Sequence, residues 1–414
     1  MALDSKFQSC AKANVLMESG AQGMLFGVHV RNHQAVTSSS PAAVHVDGGA
    51  SLYIASSLFW GNKSVGCLVS GAGSDLIING TFFHCLNDNL IMRMDSPSVC
   101  CRIGAHLELT RCNFTSQTFA RSDVVVTGAA SAAIKGNVFD NKHVRAAKDA
   151  TTIFLGAGTV AAVSYNTFLL ASGNVRAVTT SSNTSASVGP SNIISCSAED
   201  LTHRNEVRTG TGVELKPDSC ARVFGNTFLG LNGAVVSDAP LDVEIRDNRC
   251  DLCHRGIFVA GMNIPLPSHL AEAGSVRRAV VHGNNVTGSS LAGLAVMDSN
   301  NVDIISNVVR NCETGVFFSA VHMVNFEGNR ITDCDENGMH IAGPNVHHIS
   351  IRRNHFSGND DQGLKIQRER GQGGQSPDSS GDGNFGGDPA TVLSLRDFSD
   401  NVIEGNGKCG VEVT

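Results

Sequence analysis

The chain has 414 residues, a formal net charge of −7 and 41% apolar residues, with 44 glycines but only 19 Phe, 2 Tyr and 1 Trp. A chain of this length would ordinarily form two or three globular domains. No basic run stands out, and no apolar run approaches the about 18 residues that a membrane helix needs, so neither nucleic-acid binding nor a membrane span is favoured. The first twenty residues lack the charged and apolar regions of a signal peptide, which leaves the localisation unknown.

Short alternating apolar stretches recur through residues 25–211. Residues 52–54 precede an apolar pair at 58–59, and residues 76–78 precede another at 82–83. Alternation over three to five residues has the period of a strand rather than that of a helix. The Ser-rich stretch 179–191 fits no strand pattern, and we expect a loop extension there.

A sharper repeat occupies residues 212–414. In each period an Asn is followed two residues later by an apolar side chain, at Asn226, Asn248, Asn284, Asn307, Asn329, Asn354 and Asn401. A Gly-apolar-x-apolar stretch begins seven to nine residues after each Asn. Uninterrupted steps between successive Asn are 22, 23, 22 and 25 residues, and two longer steps of 36 and 47 residues contain inserted loops. Two or three short strands in such a period leave no room for a helix, which predicts one coil of a parallel β-solenoid.

This pattern resembles the right-handed parallel β-helix (PbH1) repeats of the pectate-lyase-like superfamily, including NosD-type periplasmic proteins. The resemblance implies a right-handed winding, as parallel crossovers in general have. We therefore predict an all-β, right-handed parallel β-helix with coils of about 22 residues. A single domain would span residues 1–414, with looser repeats at 25–211, clear repeats at 212–414 and inserted loops at 260–277 and 367–391. The chain ends on a complete repeat strand, so we expect it to be part of a longer polypeptide or to have its last edge covered by a partner.

The pentapeptide Cys250-Asp-Leu-Cys253-His254 has the spacing of a haem attachment site, and its Cys-x-x-Cys part that of a redox pair or half a zinc site. The repeat instead places Cys250 in the inward apolar column after the Asn, and Cys253 in a column of small turn residues. We expect packing roles for both, with no haem or zinc at Cys250 and Cys253. The thirteen scattered cysteines are interpreted as mostly reduced.

The repeated Asn column has a similar structural interpretation. We expect these Asn residues to adopt left-handed backbone angles at a turn and to hydrogen-bond to their stacked neighbours.

The outward residue of each Gly-apolar-x-apolar strand forms a column, predicted as Val235, Phe258, Ala295, Phe317, His340, Lys365 and Glu412. Both inserted loops leave the solenoid immediately after this strand, four coils apart, or about 19 Å at the strand spacing. We predict a groove between them long enough for several sugar residues. Phe258, Phe317 and Arg368 are the candidate substrate-binding residues.

Acidic residues occupy the turn before this strand in neighbouring coils. Stacked carboxylates repel unless a proton or a cation intervenes, which makes Asp335, Glu336 and Asp360 a candidate Ca²⁺ site. Asp360 and Asp361 are alternatively a candidate glycosidase acid pair. Water-facing turns of solenoids are commonly acidic, so a purely structural role is the competing interpretation.

His340 and Lys365 lie on adjacent coils beside these acids. A uronan lyase needs a base and a cation that neutralises the uronate, and His340 and Lys365 are our candidates; both would otherwise be ordinary solvent-facing residues. The Asn-Thr-Asp, Gly-His-Gly and Arg-Ile-Lys motifs of polygalacturonases and the Asp-Pro-His motif of mannuronan epimerases are missing. Only Asp360-Asp361 matches a polygalacturonase motif, the Asp-Asp pair of those enzymes.

Three functions remain open at this stage. The first is a lyase or hydrolase acting on an acidic polysaccharide, and the second is a non-catalytic polysaccharide-binding module. The third is a β-helix scaffold that binds a protein partner or a surface.

Overall fold

A computed structural model describes residues 2–8, 13–31, 42–61, 65–85, 97–116, 122–141, 150–170, 175–196, 210–272, 274–343, 345–367 and 394–414. All strand pairings in this part of the chain are parallel, and each strand pairs with its counterpart in the adjacent coils, on one side only in the first and last coils. Each coil contributes three strands, which we assign to sheet 1, sheet 2 and sheet 3.

Sheet 1 contains the Gly-apolar-x-apolar strands. They are Val15–Met17, Ala42–Val46, Val65–Ser70, Val99–Arg102, Val124–Thr127, Thr151–Leu155, Arg176–Thr180, Thr211–Leu215, Gly233–Asp238, Arg255–Ala260, the first half of Ala292–Ile305, the first half of Thr314–Glu327, Met339–Ala342, Gln362–Gln367 and Cys409–Val413.

Sheet 2 contains the strands that precede the Asn column. They are Ala2–Leu3, Gln22–Phe26, Ser51–Ala55, Asp75–Asn79, His106–Thr110, Ser131–Lys135, Val160–Ser164, Ser185–Val188, Cys220–Phe224, Asp242–Arg246, Arg278–His282, the second halves of Ala292–Ile305 and Thr314–Glu327, His347–Arg352 and Ser394–Ser399.

Sheet 3 contains the short strands that follow the Asn column. They are Lys6–Gln8, His29–Arg31, Leu58–Trp60, Phe82–Cys85, Asn113–Ser116, Val138–Asn141, Thr167–Leu170, Ile193–Cys196, Thr227–Leu229, Arg249–Asp251, Asn285–Thr287, Val308–Arg310, Arg330–Thr332, His355–Ser357 and Val402–Glu404. These fifteen strands form one continuous ladder within the described residues.

The predicted right-handed parallel β-helix is confirmed. The coil length is less uniform than the C-terminal repeats suggested, because Phe114, Phe139, Phe168 and Ile194 pair across steps of 25, 29 and 26 residues. Coils are therefore about 25 residues apart over the whole chain. Whether residues 1–414 form a single domain stays a prediction.

The interior is a set of stacked apolar columns. In sheet 3, Phe59, Phe83, Phe114, Phe139 and Phe168 stack with ring centroids 4.7 to 5.0 Å apart. This spacing matches the distance of about 4.8 Å between adjacent strands, so one ring per coil fills the core without a gap. Val30 precedes this column, and Ile194, Phe228 and Cys250 continue it.

A buried asparagine ladder lines the turn between sheets 2 and 3. Each Asn side chain accepts hydrogen bonds from the backbone N–H and the Nδ2 of the Asn one coil earlier, as Asn307 does from Asn284 at 3.0 and 2.9 Å. The predicted stacking is thus confirmed, but the predicted backbone angles are wrong. The left-handed residue is the one before the Asn, as at Asp247, Ser306 and Arg353 with φ of 54°, 55° and 54°.

Three local expectations also need correction. The Ser-rich stretch 179–191 is not a loop: it contains the end of Arg176–Thr180 and all of Ser185–Val188, in which Ala186 and Val188 face inward and the serines face out. Val235 is fully buried and pairs with Ile257, so the outward residue of that strand is Val236, which pairs with Phe258. The inserted loop 260–277 contains a short helix, Ser268–Glu272.

The second inserted loop, 367–391, lies outside the described residues apart from Gln367. No helix in the described ranges is long and apolar enough to cross a membrane.

Candidate functional site

The candidate site is the outer face of sheet 1 toward the C-terminal coils. The register places Phe258, Ala295, Phe317, His340, Lys365 and Glu412 in one column, which we call the outer column. Period-two alternation explains this placement, because the residues on either side of each member point into the core. Apart from the correction at Val235, the predicted order of the column is confirmed.

His340 lies at the centre of the outer column and is half-buried. Its ring meets the edge of Phe317 with centroids 5.6 Å apart, and its Nε2 lies 3.2 Å from Oε1 of Gln367. Burial lowers the pKa of His340, with a further lowering from the charge of Lys365, against an opposing effect of the Gln367 hydrogen bond. The imidazole is therefore mainly neutral near pH 7, the form that can accept a proton.

Lys365 is the next residue of the column, directly beside His340. Its side chain is partly exposed, and no ion pair in the described part of the chain involves it. A lysine whose charge is not neutralised by a carboxylate within 4 Å offers a binding point for an anionic ligand on this face.

The acidic residues form two columns on the turn before sheet 1. Backbone hydrogen bonds from Asp335 to Cys312 and from Asp360 to Cys334 place Glu313, Asp335 and Asp360 in equivalent positions of three successive coils. Burial raises the pKa of Glu313, and the charges of Glu336 and Asp335 raise it further. The structure thus brings the predicted acids together along one edge of sheet 1.

The second acidic column ends in a cation. Glu336, Asp361 and Lys408 follow one another through backbone hydrogen bonds, and Lys408 Nζ lies 2.7 Å from Oδ1 of Asp361. The pKa of Lys408 is raised by its hydrogen bond to Asp361. Asp361 therefore forms an ion pair with Lys408, whereas Asp360 belongs to the neighbouring acidic column.

The predicted Ca²⁺ ligands, Asp335, Glu336 and Asp360, occupy adjacent coils of these columns. Among the described residues, no three His, Cys, Asp or Glu side chains already converge in a metal-binding arrangement. The Ca²⁺ site stays a prediction, and it would require these carboxylates to rearrange.

The aromatic part of the predicted site lies farther along the same face. Phe258 is half-buried, and the guanidinium of Arg255 lies 5.7 Å from the centroid of its ring. Phe317 and Phe258 are two coils apart, with Ala295 between them. Arg368 lies outside the described residues.

The loop 260–277 borders the other edge of sheet 1. It is fastened to the corner between sheets 1 and 2 by Asn263, whose N–H donates to the Asp298 carbonyl and whose Nδ2 donates to the Ala320 carbonyl. The buried Arg277 closes the loop through an ion pair with Asp218 at 2.8 Å. One edge of the face is therefore acidic, and the other is covered by this loop.

The two cysteines of the pentapeptide lie away from this face. Cys250 and Cys253 are fully buried, and burial raises the pKa of Cys250 well above its ordinary value. Cys250 pairs with Phe228 and Val286 in the inward column, as predicted. Among the cysteines whose side chains the structure describes, Cys67, Cys101 and Cys334 are free thiols.

A separate depression of about 890 Å³ lies on the outer face of sheet 2. Its floor consists of small side chains such as Ala162 and Ser187, and Arg222 and Glu244 stand at one end. None of the predicted site residues that the structure describes lines it, since those residues belong to sheet 1 or to the turn before it.

Two residues that contribute to the site were not identified from the sequence. Gln367 binds His340 and Lys408 pairs with Asp361, across 27 and 47 residues of chain. Only the coil register brings them together, and for Lys408 that register runs across the inserted loop that follows Gln367.

Comparison with known proteins identifies the repeats. Residues 193–373 match the family model described as periplasmic copper-binding protein (NosD). No curated protein sequence matches the chain.

Several solved structures are similar to the chain. The periplasmic alginate epimerase AlgG is 11% identical over 93% of this chain and 74% of its own, with a TM-score of 0.37. A PL6 alginate lyase in complex with a trisaccharide is 10% identical over 85% of this chain and 80% of its own, with a TM-score of 0.42. The tailspike protein of E. coli bacteriophage HK620 in complex with a pentasaccharide is 11% identical over 86% of this chain and 71% of its own, with a TM-score of 0.43.

The matched segment is less than half of the chain and includes six of the seven repeat asparagines named above. The resemblance predicted from the sequence is thereby confirmed: the chain is a right-handed parallel β-helix protein with NosD-type repeats in residues 193–373.

Proposed function

We propose that the chain binds an acidic polysaccharide along the outer column of sheet 1, and that His340 and Lys365 act on its uronate residues. The observation that carries this proposal is the pairing of a mainly neutral imidazole with an adjacent ammonium that has no ion-pair partner among the described residues. One group can accept a proton while the other neutralises a carboxylate.

The shape of the face supports an extended ligand. From Phe258 to Lys365 the outer column crosses four coil steps, or about 19 Å at the strand spacing, which is enough for several sugar rings. Phe258 and Phe317 present apolar surface on which a sugar face can pack.

The chemistry that fits this arrangement is β-elimination. Lys365 would stabilise the uronate carboxylate as negative charge develops on it, and His340 would remove the proton from the adjacent ring carbon. The glycosidic C–O bond then breaks, a C=C bond forms within the sugar, and the departing oxygen takes up a proton. Asp335, Glu336 and Asp360 would hold Ca²⁺ at the acidic edge, where it would offset repulsion between the protein and the uronates.

The alternative chemistry, glycoside hydrolysis by Asp360 and Asp361, has less support. A hydrolase needs two carboxyl groups that are free to act as acid and base or nucleophile. The ion pair with Lys408 occupies Asp361.

The test is to measure absorbance near 235 nm during incubation with a panel of uronic-acid polysaccharides, with and without Ca²⁺. We expect a rise from the unsaturated product, and its loss in Lys365→Ala and His340→Ala. Lys135→Ala is the matched control, because Lys135 lies on the outer face of sheet 2.

Two outcomes would contradict the enzymatic proposal. If the chain binds a polysaccharide without a change in absorbance or new reducing ends, it is a non-catalytic binding module. Neither binding nor turnover across the panel would favour the scaffold function and a protein partner instead.

A further inference from the structure

A smaller depression lies on the outer face of sheet 2 in the C-terminal coils, away from the outer column of sheet 1. Its volume is about 530 Å³, within the range of about 300 to 1,000 Å³ that is usual for small-molecule pockets. Polar side chains dominate its lining, among them Asn325, His348, Ser350, Arg352, Arg396 and Asp397. We call it the arginine depression.

The strand pairing is irregular at this point, which explains how these side chains come to share one space. Between His347 and Ser350 the register against Ser394–Ser399 shifts twice, so that neither His348 nor Arg396 has a register partner across this pair of strands. His348 also has a left-handed backbone, with φ of 55°. Such bulges re-aim side chains and are frequent beside functional sites. The irregularity therefore adds an imidazole and a guanidinium to the lining of the depression.

The positive charge of the depression is only partly neutralised. Arg352 donates to Oε2 of Glu327 at 3.2 Å, but Arg353 pairs with the same carboxylate at 3.0 Å. The Nε of Arg352 has no hydrogen-bond partner among the described residues, and the nearby Oδ2 of Asp397 is 3.8 Å away. Arg396 is exposed, and its side chain forms no ion pair or hydrogen bond with any described residue. The depression therefore has an excess of positive charge and N–H donors that are free to bind a ligand.

These groups fit a tetrahedral oxyanion that is attached to a hydroxylated body. Guanidinium groups bind the oxygens of such anions through paired N–H donors. The hydroxyl of Ser350 and the imidazole of His348 add hydrogen-bonding groups to the same lining. Asp397 disfavours a bare anion, but its carboxylate can accept a hydrogen bond from a ligand hydroxyl. The volume of the depression leaves room for a body of the size of a sugar beside the anionic group.

We propose that the arginine depression binds a sugar monoester of a tetrahedral oxyanion, with Arg352 and Arg396 on the oxyanion and Asp397 on a sugar hydroxyl. Phosphate and sulfate monoesters share this chemistry, and the experiment below distinguishes them. The site is independent of the polysaccharide face, because it lies on sheet 2 and includes no residue of the outer column.

The test is a calorimetric titration of the purified chain at low ionic strength with glucose-6-phosphate, glucose-6-sulfate and glucose. We expect one or both esters to bind and glucose not to bind; the ester that binds identifies the oxyanion. In Arg396→Gln the affinity for the ester should fall by at least about tenfold, because a charge-assisted contact with the oxyanion is lost. The matched control, Arg330→Gln, changes an exposed arginine on sheet 3 and should bind the ester like the unmodified chain.

A second variant tests the contact with the sugar. Asp397→Ala should raise the affinity for inorganic phosphate, since a repulsive charge is removed, and should reduce the preference for the ester over inorganic phosphate; an unchanged preference would contradict the role of Asp397. Circular dichroism and thermal unfolding of each variant establish that the fold is intact. The proposal is overturned if neither ester binds at millimolar concentration, if glucose binds as tightly as its esters, or if Arg396→Gln and Arg330→Gln bind the ester equally.

Discussion

Asp123 is the buried carboxyl group whose replacement tests the electrostatics of the solenoid most sharply. Its side chain is 4% exposed, and its described side-chain partner is Asn141, whose Nδ2 donates to Asp123 Oδ2 at 2.8 Å. No ion pair in the described part of the chain neutralises it. Burial raises the pKa of Asp123 from 3.8 to about 6, against the opposing effect of the Asn141 hydrogen bond.

The raised pKa makes stability depend on pH in a defined direction. Below about pH 4 the carboxyl group is protonated in both the folded and unfolded states, so it has no differential effect. Between pH 4 and 6 the folded state retains a proton that the unfolded state has released. The associated stability is therefore lost as pH rises, and the loss is complete above pH 6.

The magnitude follows from the two pKa values. The interval from 3.8 to about 6 corresponds to about 3 kcal/mol, since one pH unit is worth about 1.4 kcal/mol. Asp123→Asn keeps an oxygen that can accept from Asn141 but cannot ionise. We expect the variant to gain up to about 3 kcal/mol in unfolding free energy relative to the unmodified chain between pH 4 and pH 7.5.

Denaturant unfolding followed by circular dichroism at pH 4 and pH 7.5 measures this difference. Asp400→Asn is the control, because Asp400 is exposed and has a left-handed backbone that Asn tolerates. If the effect of Asp123→Asn is the same at both pH values, or matches that of the control, the carboxyl group does not titrate in the way that its burial requires.

Three further predictions concern the ladder, the imidazole and the thiols. Asn307→Ala removes three donated and two accepted side-chain hydrogen bonds and should lower the unfolding free energy by about 3 to 6 kcal/mol. The control Asn285→Ala changes an exposed residue and should lower it by less than about 1 kcal/mol. Equal effects of the two variants would show that the asparagine ladder does not stabilise the fold. In an NMR titration, the pKa of His340 should lie below its ordinary value of 6.5. It should fall further in Gln367→Ala, because the hydrogen bond with Gln367 raises the pKa of His340. An upward shift in the variant would contradict the contact between the two side chains. Cys250 should resist thiol-specific alkylation at pH 8 until the chain unfolds, because it is buried and its pKa is raised. The partly exposed Cys220 should react in the folded state. Rapid labelling of both cysteines would show that Cys250 lies outside the core.

The fold was predictable because its determinants recur at a fixed period. Apolar side chains two residues after each Asn identify the inward column, and the pairing of Phe356 with Ile403 across 47 residues follows the same rule despite the inserted loop. The Ser-rich stretch 179–191 escaped detection because Ala186 is a small inward residue and the serines around it lack the apolar contrast of a strand. A shift of one residue after Gly233 misplaced Val235, since the outward and inward residues there are both valine.

The candidate site was predictable only in part. The order of Phe317, His340 and Lys365 follows from the repeat alone. The contact of Gln367 with His340 depends on the register of adjacent coils, and the contact of Lys408 with Asp361 depends on that register across the inserted loop. When the coils stack, residues about 25 positions apart in the sequence become neighbours. The contacts between coils can therefore be identified only from the structure.

Calorimetric titration of the purified chain with a uronic-acid oligosaccharide of four to six sugars tests the central claim most directly. We expect binding to the unmodified chain and to Lys135→Ala, and its loss in Lys365→Ala, because the Lys365 ammonium, which has no ion-pair partner among the described residues, is the proposed anchor for the uronate. Equal binding by all three proteins, or none by any of them, would contradict the assignment of sheet 1 as the polysaccharide-binding face.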